Sequence, residues 1–341
     1  MNEENKNIAV SVWLLLITFL VALMIFVGGL TRLTDSGLSI TRWDLIVGII
    51  PPLSIEEWSS YFELYKEIPE FKLLNQTMTL EEFKVIFLWE FAHRLLGRIV
   101  GILFLLPLIY FTFRKKIPKK YLTSLYFIFL LILIQGFIGW YMVKCGLTER
   151  TDVSHYRLSL HLTLAFIIFI FLLWNFLKYT NKLDLKNYGK IPYNLPTLFL
   201  LCVLIQISIG AFVSGLDAGK IYQTWPLMNE GYFPDDAEIS DLIKKNVFSN
   251  PSIVQFIHRN MAYFLFSFFL IIYFIVFTNG DLFHLRKIMK VILFSLFLQI
   301  FLGILTVLCG AQINLASMHQ IGSILLITSS LILIFKNSRI N

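Results

Sequence analysis

Read for hydrophobic and polar positions alone, the chain falls into eight long apolar blocks separated by polar stretches. They lie near residues 8–29, 89–112, 122–143, 157–177, 194–216, 254–277, 288–309 and 317–335. Each block is about 20 residues, the length at which a helix crosses the hydrocarbon core of a bilayer. The pattern predicts an all-α polytopic membrane protein with eight transmembrane helices. The first block is longer than a signal-peptide core and no small-residue cleavage site follows it, so it reads as a retained span. The polar stretches carry helix starts of their own. Ser54-Ile55-Glu56-Glu57 and Thr79-Leu80-Glu81-Glu82 both fit the capping box. The first leads a segment with Trp58, Tyr61, Phe62 and Tyr65, a pattern suited to a helix on the membrane surface. The second runs into the second span. Asn250-Pro251 reads as the N-cap and first residue of the sixth.

Composition agrees: of 341 residues, 57% are hydrophobic and 15% charged. The net charge of +7 would suit nucleic acid if it were clustered on one surface, but it alternates between loops. Arg114, Lys115, Lys116, Lys119 and Lys120 follow span two, Lys178, Lys182, Lys186 and Lys190 span four, and Arg286, Lys287 and Lys290 span six. The intervening loops are acidic, with Asp35, Asp44, Glu56, Glu57, Glu63, Glu67 and Glu70 after span one and Asp235, Asp236, Glu238 and Asp241 after span five. The positive-inside rule then puts both termini in the cytoplasm and the long acidic loops outside. The charge sets topology, and the partner it implies is the lipid bilayer, with no nucleic acid. Three cysteines, Cys145, Cys202 and Cys309, are too few for a disulfide framework, and Cys202 reads as a small buried hydrophobe.

The chain also repeats itself. EFAHR (90–94) matches QFIHR (255–259), and LILIQGFIGWYMVKCG (131–146) matches FSLFLQIFLGILTVLCG (294–310), pairing Gln135 with Gln299, Gly139 with Gly303 and Cys145 with Cys309. TDSGLSITRWDL (34–45) matches LDAGKIYQTWPL (216–227), pairing Asp35 with Asp217, Gly37 with Gly219 and Trp43 with Trp225. Two four-span halves follow, residues 1–180 and 181–341. Each has an even number of spans, so both enter the membrane in the same direction. The expected architecture is two pseudo-symmetric four-helix bundles related by an axis along the membrane normal.

Within this frame the histidines stand out. His155 and His284 fall in loops, whereas His93, His161, His258 and His319 each sit near the outer end of an even-numbered span. Each half therefore offers two imidazoles on different helices at one depth, as axial ligation of a haem iron requires. One turn inward the residue is small each time: Gly97, Ala165, Ala262 and Ser323, with Gly101 continuing the first stripe. A flat macrocycle needs such a bare surface, although small residues also serve close helix packing. Zinc is the weaker reading, because it usually takes a third protein ligand. Glu90 lies three residues before His93, on the same helix face, and is the only acid within the eight spans; its counterpart is Gln255. It can pair with Arg94 at i,i+4. Arg259 nevertheless stands in the second half without an acid, so the arginine does not require one. An acid–base group is thus available in the first half alone.

With EFAHR, a histidine in span four, the repeat of both in His258 and His319, and GGLTRLTDSGLS (28–39) after span one, the whole chain resembles the haem A synthase family. The glutamate three before the first histidine is the most specific part of that likeness. The resemblance implies oxidation of a porphyrin methyl group of haem O to a formyl group, by repeated hydroxylation. It implies that His93 and His161 ligate or position the substrate haem O, that Glu90 acts in catalysis, and that His258 and His319 hold a resident haem B. It further implies a haem O synthase as donor, a terminal cytochrome oxidase as recipient, and a place in the cell (inner) membrane with haem sites near the outer face. One variety of the family carries cysteine pairs in its outer loops; this chain resembles the cysteine-poor variety. Two other readings stay open. In a di-haem cytochrome b electron carrier, ligands all at one depth would move electrons only laterally, and Glu90 would have no task. A transporter would carry broken helices and polar groups near the midplane, whereas these spans keep polar groups at their outer ends.

Overall fold

The computed structural model of the chain describes residues 7–43, 47–181 and 189–338, and no strand occurs among the described residues. Lys182, Lys186 and Asp44 of the charged loops lie outside them. The helices are α1 (Ile8–Leu33), α2 (Ile55–Lys66), α3 (Pro69–Leu73), α4 (Leu80–Phe113), α5 (Lys119–Glu149), α6 (His155–Thr180), α7 (Leu195–Gly215), α8 (Pro251–Thr278), α9 (Arg286–Leu308) and α10 (Ile313–Ser338). All but α2 and α3 are long and apolar enough to cross a membrane. Their sides expose residues such as Leu106, Phe113, Leu133, Phe137 and Phe274. Lipid favours that surface, and a helix satisfies its own backbone there. His155, expected in a loop, instead opens α6 and is buried.

The expected caps form. Ser54 and Thr79 each accept from the backbone N–H three residues on, while Glu57 and Glu82 reach back to the cap, so α2 and α4 both start on a capping box. Asn250 Oδ1 accepts from Ser252 N and Ile253 N above Pro251, starting α8. At 34 residues α4 is about 50 Å long, well beyond the ~30 Å hydrocarbon core, so one end projects from it. Helices α1 and α7 end alike. Asp35 (φ 48°) and Asp217 (φ 51°) take the left-handed conformation that stops a helix, one that aspartate tolerates better than most residues.

The chain divides into two compact units, Leu16–Ile168 and a second that joins the N-terminal residues through Leu15 to Phe169 and beyond. In the first unit the aromatic face of α2 has a protein partner. It packs on the N-terminal end of α4: Trp58 and Tyr61 meet Phe87 with centroids 5.0 and 5.3 Å apart, and Phe62 and Tyr65 meet Phe83 at 5.1 and 5.2 Å. Each ring pair adds to the burial it shares. Leu38 and Ile40, from the segment after α1, are buried in the same cluster with Val143 and Val153. That cluster fixes residues 38–40 beside α4, where the candidate site begins.

Candidate functional site

The four histidines come together as two pairs. In the first unit the rings of His93 (α4) and His161 (α6) have centroids 6.5 Å apart at 67°. In the second, His258 (α8) and His319 (α10) stand 6.5 Å apart at 79°. A metal–imidazole bond of about 2.0–2.1 Å, with a ring centroid about 1.2 Å behind its nitrogen, sets two rings on one ion about 6.4 Å apart. The spacing in both units therefore fits one iron ligated from two sides, and the residues present suit a haem.

Each ring is seated on a glycine of a neighbouring helix. A methyl group added at Gly28 would sit 2.9 Å from His93 Cε1, and one at Gly139, Gly210 or Gly303 would sit 3.1 Å from Cε1 of His161, His258 or His319. A side chain at Gly28 would force a shift, and one at the other three would crowd the imidazole by a few tenths of an ångström. Nδ1 of every ring is buried without a hydrogen-bond partner, and at His258 the Gln206 amide also approaches Nε2, at 3.5 Å. Three histidines are also clamped through the backbone: Gln135, Gln206 and Gln299 donate Nε2–H to the carbonyls of His161, His258 and His319, each at 3.0 Å. Sequence reading missed these cradles and clamps. The available signal was the repeated Gln-x-x-x-Gly at 135–139, 206–210 and 299–303.

Beside His93, a methyl group at Gly101 would meet nothing within 4 Å, and one at Gly97 would touch Met24 Cε at 3.6 Å. In the second unit the Ser323 hydroxyl turns back on Gln320 O at 2.6 Å, so it is spent on its own helix. Among the described residues no three His, Cys, Asp or Glu side chains gather as a metal site, so the three-ligand zinc arrangement does not form. Cys202 is buried as expected, and Cys145, Cys202 and Cys309 are all unbridged.

Glu90 is 2% exposed and is a hub. Its Oε2 accepts from Ser39 Oγ and Ile40 N, both at 2.7 Å, and its Oε1 accepts from Arg94 Nε at 3.0 Å and Nη2 at 2.6 Å. Arg94 also donates to Ile40 O and Arg42 O at 3.0 and 3.2 Å, and its guanidinium lies 4.5 Å from the Trp43 ring. The expected i,i+4 pair thus forms, as part of a larger tie between α4 and residues 39–42. The second unit repeats the tie with opposite polarity. Gln255 Nε2 donates to Tyr222 O at 3.1 Å, and Arg259 donates to Tyr222 O and Leu227 O at 2.9 and 3.2 Å. Tyr222 is the counterpart of Ile40. The position three before the first histidine therefore anchors the same loop in both units, but only Glu90 places an ionisable group there.

Similarity to known proteins extends over nearly the whole length of the chain. The chain is 48% identical over 344 residues to a haem A synthase of Pelagibacter ubique (strain HTCC1062), covering 99% of each chain. It is 42% identical to haem A synthases of Wolbachia pipientis wMel, over 94% of this chain and 91% of the relative, and of Rhizobium etli, over 95% and 88%. The COX15-CtaA model, described as a cytochrome oxidase assembly protein, matches residues 11–331. The chain belongs to the COX15-CtaA family of cytochrome oxidase assembly proteins.

Proposed function

We propose that the chain is a membrane-bound haem A synthase that oxidises a porphyrin methyl group of haem O to a formyl group. One observation carries the reading: two histidine pairs of equal spacing, with an acid at only one of them. Residues 1–180 form the substrate half, with haem O at His93 and His161. Residues 181–341 form the cofactor half, with a resident haem B at His258 and His319. Haem B, when bound, supplies a one-electron redox centre. His93 and His161 would hold the substrate haem between α4 and α6, where Gly101 leaves open space on α4. Glu90 is the acid–base group of this half. Its Oε2 accepts a hydrogen bond from the Ser39 hydroxyl, 2.7 Å away, and Arg94 pairs with its Oε1, so the carboxylate is held in place beside His93. The basic loops keep both termini cytoplasmic, which puts the haem sites near the outer face of the cell (inner) membrane. Haem O synthase is the donor and a terminal cytochrome oxidase the recipient.

The test is expression in cells that make haem O but no haem A, followed by extraction and chromatography of the haem. Haem A is expected with the parent chain and absent with His161→Ala. A chain that accumulates in the membrane with two haem B per molecule and never yields haem A is an electron carrier instead.

A further inference from the structure

Of the four seated histidines, one lacks its clamp. Gln135, Gln206 and Gln299 each stand four residues before the glycine that seats the ring, so one face of the neighbouring helix supplies both the seat and the hydrogen bond. On α1 the seat is Gly28, and the residue four before it is Met24. The register that pairs Asp35 with Asp217 pairs Gly28 with Gly210 and Met24 with Gln206. Met24 offers no donor. Its methyl lies toward Gly97, 3.6 Å from where a Cβ would be, and no side chain among the described residues donates to the His93 carbonyl. The Thr31 hydroxyl reaches Trp89 O, one turn outward, only at 3.5 Å and is already bonded to Val27 O at 3.0 Å. The steric seat of His93 is intact, and the tie holding its backbone to the neighbouring helix is missing.

We propose that His93 is the exchangeable axial ligand of the first haem site, and that Met24 is the positioning residue that makes it so. The inference rests on the reading of that site as the substrate site. A resident haem needs two fixed ligands, and both histidines of the second unit are clamped. A substrate haem must load and leave, and one of its ligands is clamped and the other free to shift. On exchange His93 withdraws with its lone pair on Nε2. The iron–nitrogen bond breaks, and no electron or proton is transferred. His161, held by Gln135, keeps the haem in register meanwhile.

The experiment uses the full chain, purified in detergent from cells that make haem O, reduced with dithionite and mixed with carbon monoxide. Carbon monoxide binds only where an axial ligand gives way. The parent is expected to show one reactive haem, lost in His161→Ala, and one unreactive haem. A neutral hydrogen bond shifts an equilibrium by roughly two- to tenfold, so Met24→Gln should slow carbon monoxide binding by that factor. Gln206→Met should raise the reactivity of the second haem by the same factor, and it decides the matter if Met24→Gln does not fold. Equal reactivity of both haems in the parent, or rates unmoved by both substitutions, overturns the proposal and leaves the synthase reading standing. A His161→Ala protein with the parent's full haem content and full reactive fraction overturns the synthase reading, and this inference with it.

Discussion

Glu90→Gln separates chemistry from scaffolding at the position the two units treat differently. The substitution keeps the size of the side chain and removes its charge. It takes a carboxylate away from four donors: Ser39 Oγ and Ile40 N at 2.7 Å and two Arg94 nitrogens at 2.6 and 3.0 Å. Removing one partner of a buried ion pair costs about 3–5 kcal/mol when the other is stranded. Arg94 is not stranded here, because it keeps Ile40 O and Arg42 O. The second unit shows a folded precedent, with Gln255 tied to Tyr222 O and Arg259 held by the carbonyls of Tyr222 and Leu227, while Gln255 Oε1 and Arg259 Nε stay buried without a partner. The cost should therefore be nearer the 1–3 kcal/mol of lost charge-assisted hydrogen bonds, which leaves the chain folded. Loss of a general acid–base group lowers a rate by about 10²–10⁴-fold. The assay is haem A formed per chain, normalised to haem B content and accompanied by the thermal midpoint. The expected result is a near-normal midpoint with haem A formation down at least about 100-fold. Haem A formation within about threefold of the parent, far short of an acid–base effect, would refute the assignment and leave Glu90 as a loop anchor like Gln255.

Three further outcomes follow from named contacts. Gly139→Ala pushes a methyl group to 3.1 Å from His161 Cε1, and such overpacking costs about 1–3 kcal/mol. It should empty the first site while sparing the second, and Gly303→Ala should do the reverse, read as haem species per chain. Arg94→Ala leaves a carboxylate buried without its cation and should cost about 3–5 kcal/mol, whereas Arg259→Ala strands no acid and should cost less; thermal midpoints in detergent rank the two. Burial raises the carboxyl of Glu70 in α3 to about 8, offset in part by the Tyr65 hydroxyl and reinforced by the negative charges of Asp152, Glu90 and Asp35. Because the folded value lies above the unfolded 4.5, the native state holds a proton that the unfolded state has released. This contribution to stability is complete below 4.5 and is lost as pH rises to about 8. Melting at pH 5 and pH 8.5 should show that loss, and Glu70→Gln should remove it.

The eight spans were legible because an apolar run of bilayer length is a one-dimensional signal, and the internal repeat aligned them. The histidine pairs were legible for a related reason: position along a span gives depth, and four imidazoles at one depth on alternate helices is a pattern a string can carry. What faces what across two helices is not such a pattern. Gly28, Gly139, Gly210 and Gly303 became ring seats only once the rotation of each helix was known. The pairing of Glu90 with Arg94 followed from i,i+4 spacing, but its bonds to Ser39 and Ile40 join residues about 50 positions apart. The aromatic stripe of α2 had two possible partners, lipid or protein. Phe83 and Phe87 took it because α4 starts at Leu80, two turns before its apolar run begins.

The central claim is that two pairs of histidines with the same spacing hold chemically different haems. Extracting the haem from parent, His161→Ala and His319→Ala proteins, and identifying each species by chromatography and mass, tests it directly. The account predicts haem B together with haem O, haem A or a hydroxylated intermediate in the parent, loss of the non-B species in His161→Ala, and loss of haem B in His319→Ala. Haem B alone at two per chain, with either substitution removing half of it, would contradict the account.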